Sequence, residues 1–530
     1  MNDQPVVRPA SLTVAERRAA VAATVLLAAL MVMWSVVAPA YRASDEPMHV
    51  STTLRLAESG RYPPPGRALM DPSVLASFRW VNYFGRAGRV PTVERPAALS
   101  QPPSIQELSG PNVPRPKTDI DQMTQHPPGY YLLMAGAVRL LQLDDASPSG
   151  LILGLRLVSS LLLLPIPFLC LLVARRVGLA PRVAAASAFL PAAWMQFVHA
   201  SATVNNGALL ALATSVAIVL LVPVAQGDVG VRRALGVGAA VSVALLTKGF
   251  ALALLPTIVL AYLLAARRSG LRRAALAALV AGLASLPGLW WWVLNVVRYG
   301  SVQPKGTRDN APVVDAPPVT QWIHDFTLTW MRTLWVAVGW AEGRPPPWLY
   351  IGLTVAVAAL VLAGSWALRR NLGAVLVLHT FWAGPLAIVA LGSLQEFMYS
   401  GQTRAAQGRY VQIAVVAFAV LVIASLTRFA RFMAVVPALV LVSAVGGLGY
   451  GLYHFWRPAD GQNVVWGRVV SMVSWWPGGL VWLIVAAVVA TVSGVAGVLA
   501  LRSVDLRSVP LQPSSRWSGE PAAAAPGSAG

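Results

Sequence analysis

The chain has 530 residues, 56% of them apolar and 12% charged, with a mean hydropathy of +0.62. Soluble globular domains carry about a quarter charged residues, so the composition excludes a soluble fold and requires a polytopic membrane protein. The formal charge of +20 rests on arginine, because lysine occurs only as Lys117, Lys248 and Lys305. These basic residues lie between apolar stretches rather than among aromatics on a soluble face, which reads as topology control and excludes nucleic acid as a partner. The lone cysteine, Cys170, forms no intrachain disulfide and rules out a thiolate metal site.

In chain order, residues 1–18 form a cytoplasmic N-terminus carrying Arg17 and Arg18, and 19–40 is the first span. No small-residue cleavage motif follows it, so it reads as an uncleaved helix. The cluster Asp45-Glu46-Pro47-Met48-His49 comes directly after that span and opens a loop over 41–150 rich in proline and charge. Within the loop, 130–143 is apolar but short for a crossing and reads as an interfacial helix. Further spans fall at 151–174, 183–201, 206–224, 234–247, 249–266, 274–297, 348–368, 372–394, 410–427, 433–454 and 478–501, twelve with the first.

The short connections fix an orientation. Arg175, Arg176, Arg182, Arg232, Arg233, Arg267, Arg268, Arg272, Arg273, Arg369, Arg370, Arg428 and Arg431 all fall on the side of the N-terminus. Both termini are then cytoplasmic, and the tail 502–530, rich in Ala, Pro, Ser and Gly, reads as disordered. The segment 298–347 is external, with an amphipathic helix expected near 319–340 and Trp322, Trp330 and Trp335 as interface anchors. Spans 2–7 occupy 151–297 and spans 8–12 occupy 348–501. The stretch 234–266 must go out and return, which leaves each arm about 24 Å long at 1.5 Å per residue. Its turn, Thr247-Lys248-Gly249, is therefore expected in a depression below the outer surface.

Several groups in this plan suit chemistry. Asp45 and Glu46 are adjacent, so their side chains diverge. One can act as a general base while the other orients a partner or a divalent metal ion; solvated carboxylates at a loop start are the alternative. His49 stands beside them. His126, in Gln125-His126-Pro127-Pro128-Gly129-Tyr130-Tyr131, is held by two prolines at a helix start, where it can donate to a phosphate. Lys248 is an ionisable group in an apolar setting, which suits an anionic lipid head group in a polar cavity or snorkelling to the interface. Arg404 and Arg409, in the external stretch 403–410, run against the positive-inside preference, and phosphate binding supplies a reason for them. Asn205 and Asn206 are ordinary turn residues.

Taken together, the acidic pair after the first span, the His-Pro-Pro-Gly-Tyr-Tyr stretch, the Leu-Thr-Lys-Gly turn and the late Gly-Arg-Tyr resemble GT-C glycosyltransferases. That superfamily includes protein O-mannosyltransferases and lipid A aminoarabinose transferases. Within it the Asp-Glu-Pro-x-His opening is similar to the bacterial membrane family called domain of unknown function 2142. The resemblance implies an all-α, GT-C-like bundle of about twelve transmembrane helices with a large first external loop carrying interfacial helices. It also implies a polyprenyl-phosphate-linked sugar as donor, inversion at the sugar carbon and an external active site in the bacterial cytoplasmic membrane. Asp45 would be the base that activates an acceptor hydroxyl, with Glu46 its neighbour. Lys248, Arg404 and Arg409 would contact the lipid phosphate, His126 matches the residue before the paired prolines, and His49 would assist binding. The stretch 61–120 matches nothing in the pattern, so a glycan, a lipid or a protein remains open as acceptor. A twelve-span secondary transporter and a non-catalytic polysaccharide-assembly protein of the cell envelope are the rival readings.

Overall fold

The computed structural model describes residues 11–83, 95–109, 120–304, 318–456 and 465–506. Lys117, Lys305, most of the tail 502–530 and parts of the expected external loops lie outside these residues. The described residues form helices joined by turns, with one isolated bridge between Leu69 and Ile120 and no strand. Ten of the helices are long and apolar enough to cross a membrane, among them Val14–Val37, Pro148–Arg176, Leu271–Tyr299, Pro347–Ala367 and Gly479–Ser503. Leucines and valines on their outer faces, such as Leu276, Val442 and Val488, are exposed as lipid contact requires.

Two of the twelve stretches marked as spans take other forms. The stretch 183–201 is three short helices, Pro181–Ser187, Leu190–Ala193 and Met195–Ser201. Pro191 suits the first turn of a new helix, and Trp194 between the last two pieces is extended (φ −88°, ψ 90°). Non-helical backbone at this depth is tolerated where it lines a cavity. The stretch 234–247 is the 15-residue helix Val231–Leu245, about 22 Å long at 1.5 Å per residue. The turn at Lys248 follows, then the 3-10 segment Gly249–Leu254 and the helix Leu255–Ser269.

The two ends of the bundle differ in chemistry. At one end a capping box between Thr13 and Glu16 starts the first helix, and Glu16 pairs with Arg175 at 3.1 Å. Arg182 donates to the carbonyl of Val504 at 2.9 Å, Gln226 to that of Arg176 at 3.1 Å, and Arg233 pairs with Asp228 at 2.6 Å. These contacts gather Arg175, Arg176, Arg182 and Arg233, four of the short-loop arginines, at the end where the first helix starts. At the opposite end, Trp456 donates to Val37 at 2.8 Å and Ser35 to Ala202 at 3.2 Å.

The 130–143 stretch forms the 12-residue helix Gly129–Leu140, too short to cross a bilayer. Its tyrosines pack inward: Tyr130 and Tyr131 are fully buried, and Tyr130 shares a 2.6 Å hydrogen bond with Ser159. The amphipathic helix runs Val319–Trp335, and its tryptophans are tied inward, Trp322 to Ser393 and Trp335 to Thr354.

Close helix contacts rest on missing side chains. A Cβ at Gly364 would stand 1.8 Å from the carbonyl oxygen of Leu421, whereas one at Gly352 in the same helix meets nothing within 4 Å. Gly352→Ala should leave the thermal midpoint in detergent unchanged or slightly raised, by helix propensity. Gly364→Ala should lower it by the cost of overpacking, about 1–3 kcal/mol; equal midpoints for the two variants would contradict this packing.

Candidate active site

The site is built where the first helix ends. After Ala38 the chain turns, and Asp45 sits in the left-handed region (φ 64°, ψ 3°) at the N-cap position of the helix Glu46–Ser59. Aspartate tolerates that conformation better than most side chains. Its backbone carbonyl accepts from Met48 and His49, both at 3.0 Å. Its carboxylate makes no capping bond. That carboxylate instead faces a cavity and pairs with Arg409 at 3.3 Å, while Gln122 donates to its other oxygen at 3.3 Å.

Glu46 turns the other way. The expectation of a second catalytic carboxylate is corrected here: Glu46 is fully buried, does not line the cavity, and forms an ion pair with Arg156 at 2.7 Å. Divergence of adjacent side chains at a helix start is the reason. Arg156 uses its whole donor fork, two bonds to Glu46 and the others to the carbonyls of Ser35, Ala38 and Pro39 at 2.6–2.9 Å. Glu46 also accepts from the amide of Val204 at 3.1 Å. This cluster therefore joins the end of the first helix, the start of the Asp45 helix and the turn after the broken span.

One turn beyond Asp45, His49 lines the cavity with its Nδ1 2.9 Å from the Tyr131 hydroxyl. Burial, then the neighbouring Lys248, His126 and Arg409, hold His49 well below the ordinary imidazole range. The helix is clamped from behind by Asp121, which accepts from Ser51 at 2.7 Å and Thr52 at 2.9 Å.

Lys248 comes from the turn of the short hairpin. That turn is held by the amide of Gly129, which donates to Leu246 at 2.9 Å; a Cβ at Gly129 would stand 2.6 Å from the same oxygen. The ammonium bonds Asn206 at 3.1 Å and lies 5.4 Å from the ring centre of Tyr410, within cation–π range. Tyr410 stacks on Phe250 at 4.7 Å. Arg409 is positioned by Gly408, whose amide donates to Thr333 at 2.8 Å, and a Cβ there would meet Trp330 and Leu334 backbone at 2.5 Å.

Asp45, His49, Lys248 and Arg409 thus line one cavity, about 780 Å³ of empty space including its open mouth. Two expected members do not. Arg404 is exposed and bonds Gln402, and His126 is buried behind the lining with Nδ1 unpartnered. The paired prolines and Gly129 seat that segment against the Lys248 turn, which carries His126 past the cavity rather than into it. The sequence reading also passed over Arg156, His199, Gln196 and Gln412, of which the last three line the cavity. The signal was present for two of them: Arg156 and His199 are ionisable residues inside apolar stretches. Among the described residues no three His, Cys, Asp or Glu side chains gather to hold a metal ion. Among the described lining residues Asp45 is the only carboxylate and faces two cations, a donor set that does not fit a divalent ion.

Fold and cavity define a polytopic α-helical membrane protein with a cationic, polar pocket at one end of its bundle. The chain belongs to the family described as Predicted membrane protein (DUF2142), whose model matches residues 28–419. Among solved structures it is similar to ArnT from Cupriavidus metallidurans in the apo state, at 17% identity and a TM-score of 0.47, over 91% of this chain and 75% of that one. The same protein bound to undecaprenyl phosphate gives 17% identity and a TM-score of 0.43, over 90% and 76%. The Archaeoglobus fulgidus oligosaccharyltransferase in complex with Zn and sulfate gives 13% identity and a TM-score of 0.37, over 64% and 45%. No curated protein matches the sequence.

The Arg156–Glu46 pair is fully buried, so removing one partner leaves an uncompensated charge. Arg156→Met and Glu46→Gln should each cost about 3–5 kcal/mol. The double variant should cost less than the sum, measured by thermal unfolding in detergent. Burial pushes the Asp121 carboxyl up to about 6, against the pull of the Ser51 hydroxyl, the Met123 amide and the Thr52 hydroxyl. Because the folded value lies above the unfolded one, this contribution is present below about pH 4 and is lost as pH rises through about 6. The thermal midpoint should fall across that window, and Asp121→Asn should flatten the fall.

Proposed function

We propose that this protein is a glycosyltransferase of the GT-C type that moves a sugar from a polyprenyl-phosphate donor to an acceptor hydroxyl, with inversion. The observation that carries the reading is the Asp45–Arg409 contact at 3.3 Å in a cavity that also holds Lys248. A single carboxylate beside two cations suits a base next to a phosphate site. The resemblance of the Asp-Glu-Pro-x-His, Leu-Thr-Lys-Gly and Gly-Arg-Tyr motifs to that superfamily points the same way.

In this mechanism the donor phosphate takes Arg409 and Lys248 as counter-ions, which loosens the hold of Arg409 on Asp45. The acceptor oxygen then forms a bond to the anomeric carbon while the bond from that carbon to the phosphate oxygen breaks. The hydroxyl proton goes to Asp45, and polyprenyl phosphate leaves carrying the electron pair. Arg409 and Lys248 stabilise the charge that grows on the leaving phosphate, and Asp45 within hydrogen-bond reach of the hydroxyl acts as general base. Glu46 and Arg156 are positioning residues that hold the Asp45 turn; His126 and Arg404 stand outside the reacting groups.

Clustering of the short-loop arginines at the opposite end supports a cytoplasmic location for that end. The cavity then opens on the far side of the bacterial cytoplasmic membrane, where a lipid-borne donor diffuses in laterally. Purified protein supplied with polyprenyl-phosphate sugars and hydroxyl acceptors should release polyprenyl phosphate and form an inverted glycoside. Asp45→Asn should lower turnover by about 10²–10⁴-fold, the usual worth of a general base, with the thermal midpoint retained. Arg409→Gln should raise the KM for the donor and also lower kcat, because its charge is needed most as the phosphate leaves. Turnover unchanged in Asp45→Asn would remove Asp45 from the base role.

A further inference from the structure

Phosphate and base account for only one side of the cavity. The other side is contributed by the last piece of the broken span and by the 3-10 segment Gly408–Ala414, which bring in His199, Gln196, Ser201 and Gln412. His199 is 3% exposed and both of its ring nitrogens lack a hydrogen-bond partner. Gln412 is 7% exposed and its amide nitrogen is likewise unpartnered. Buried polar atoms are rarely left so, because an unmade hydrogen bond there is costly. The nearby Gln196 is already committed, its oxygen accepting from the Ala337 amide at 2.6 Å.

A neutral imidazole offers one donor and one acceptor, and a primary amide nitrogen offers donors. Hydroxyl groups both donate and accept, so a polyhydroxylated ring complements this set. An ammonium group would need a carboxylate, and the only one among the described lining residues, Asp45, is committed to the acceptor hydroxyl in the reaction above. A carboxylate on the ligand would need a cation, and in the reaction above Lys248 and Arg409 face the phosphate. Gln196, Ser201 and Gln412, which line the cavity with His199, carry no charge.

We propose that His199 and Gln412 form the sugar subsite and that it selects a neutral, hydroxyl-only sugar over amino sugars and uronic acids. This rests on the glycosyl-transfer reading and adds to it the class of sugar carried by the donor. His199 packs edge-on against Trp34 with ring centres 4.9 Å apart, so His199→Phe keeps the ring contact and removes both nitrogens. Gln412→Met keeps the length of the side chain and removes the amide.

The test is binding to the full-length protein in nanodiscs. The probes are bare polyprenyl phosphate and its mannose, glucose, galactosamine and glucuronate conjugates. Wild-type protein should bind a neutral hexose conjugate more tightly than the bare lipid or the two charged conjugates. His199→Phe and Gln412→Met should each weaken the neutral conjugate by about 3- to 10-fold, the worth of one neutral hydrogen bond, and leave the bare lipid unchanged. Equal loss for bare and sugar-bearing lipid, or no loss at all, would overturn the subsite while leaving the transfer reaction standing. Preference for a charged conjugate would overturn the sugar class. Failure of wild-type protein to bind any of these lipids would overturn both the subsite and the donor assigned above.

Discussion

The guanidinium of Arg156 is the contact on which the rest of the site depends. It closes three carbonyls at the end of the first helix and the carboxylate of Glu46 at the start of the next. A helix end inside an apolar bundle leaves carbonyls without partners, and water does not reach them here because Arg156 is fully buried. Its donors satisfy those groups directly. The consequence is geometric: with Glu46 fixed inward, the adjacent Asp45 must project the other way, into the cavity. The left-handed backbone at Asp45 is held by surrounding structure rather than by local preference, as strained residues at functional sites are.

The second constraint is a break in regular structure. Where 183–201 abandons a continuous helix, its last piece turns His199 and Gln196 into the cavity instead of packing them along a straight span. The 3-10 segment Gly408–Ala414 does the same for Arg409 and Gln412. Gly408 lets that segment press against the backbone of the Val319–Trp335 helix, so the cation is placed by a close backbone contact. Lys248 arrives by a third route, the turn of a hairpin whose first arm is too short to cross. Three departures from ordinary spans thus converge on one pocket.

These departures explain what was legible in the sequence and what was not. The long apolar stretches, the shortness of the hairpin at Lys248 and the placement of Asp45 at a helix exit follow from hydropathy, charge and length. Lys248 was identifiable as an ionisable group in an apolar setting, Arg409 as an external arginine against the positive-inside preference, and Asp45 by its place directly after the first span. Glu46 was misassigned because adjacency in sequence says nothing about which carboxylate finds a buried partner 110 residues away. His126 and Arg404 have the right chemistry, but their direction is set by a proline-fixed turn and an exposed loop. Gln412 gave no signal, because a polar residue inside an apolar run does not announce which face it occupies; His199 stood out as an ionisable residue, but in 183–201 there is no single helix to define where it points.

The central claim is that Asp45 acts as base beside a lipid phosphate held by Lys248 and Arg409. A cryo-EM structure of the protein in nanodiscs with polyprenyl phosphate tests it most directly. The account predicts the phosphate within hydrogen-bond distance of both Arg409 and Lys248, with the Asp45–Arg409 contact lengthened beyond its 3.3 Å and the carboxylate facing the pocket. Phosphate bound elsewhere on the bundle, with the Asp45–Arg409 pair intact, would contradict it.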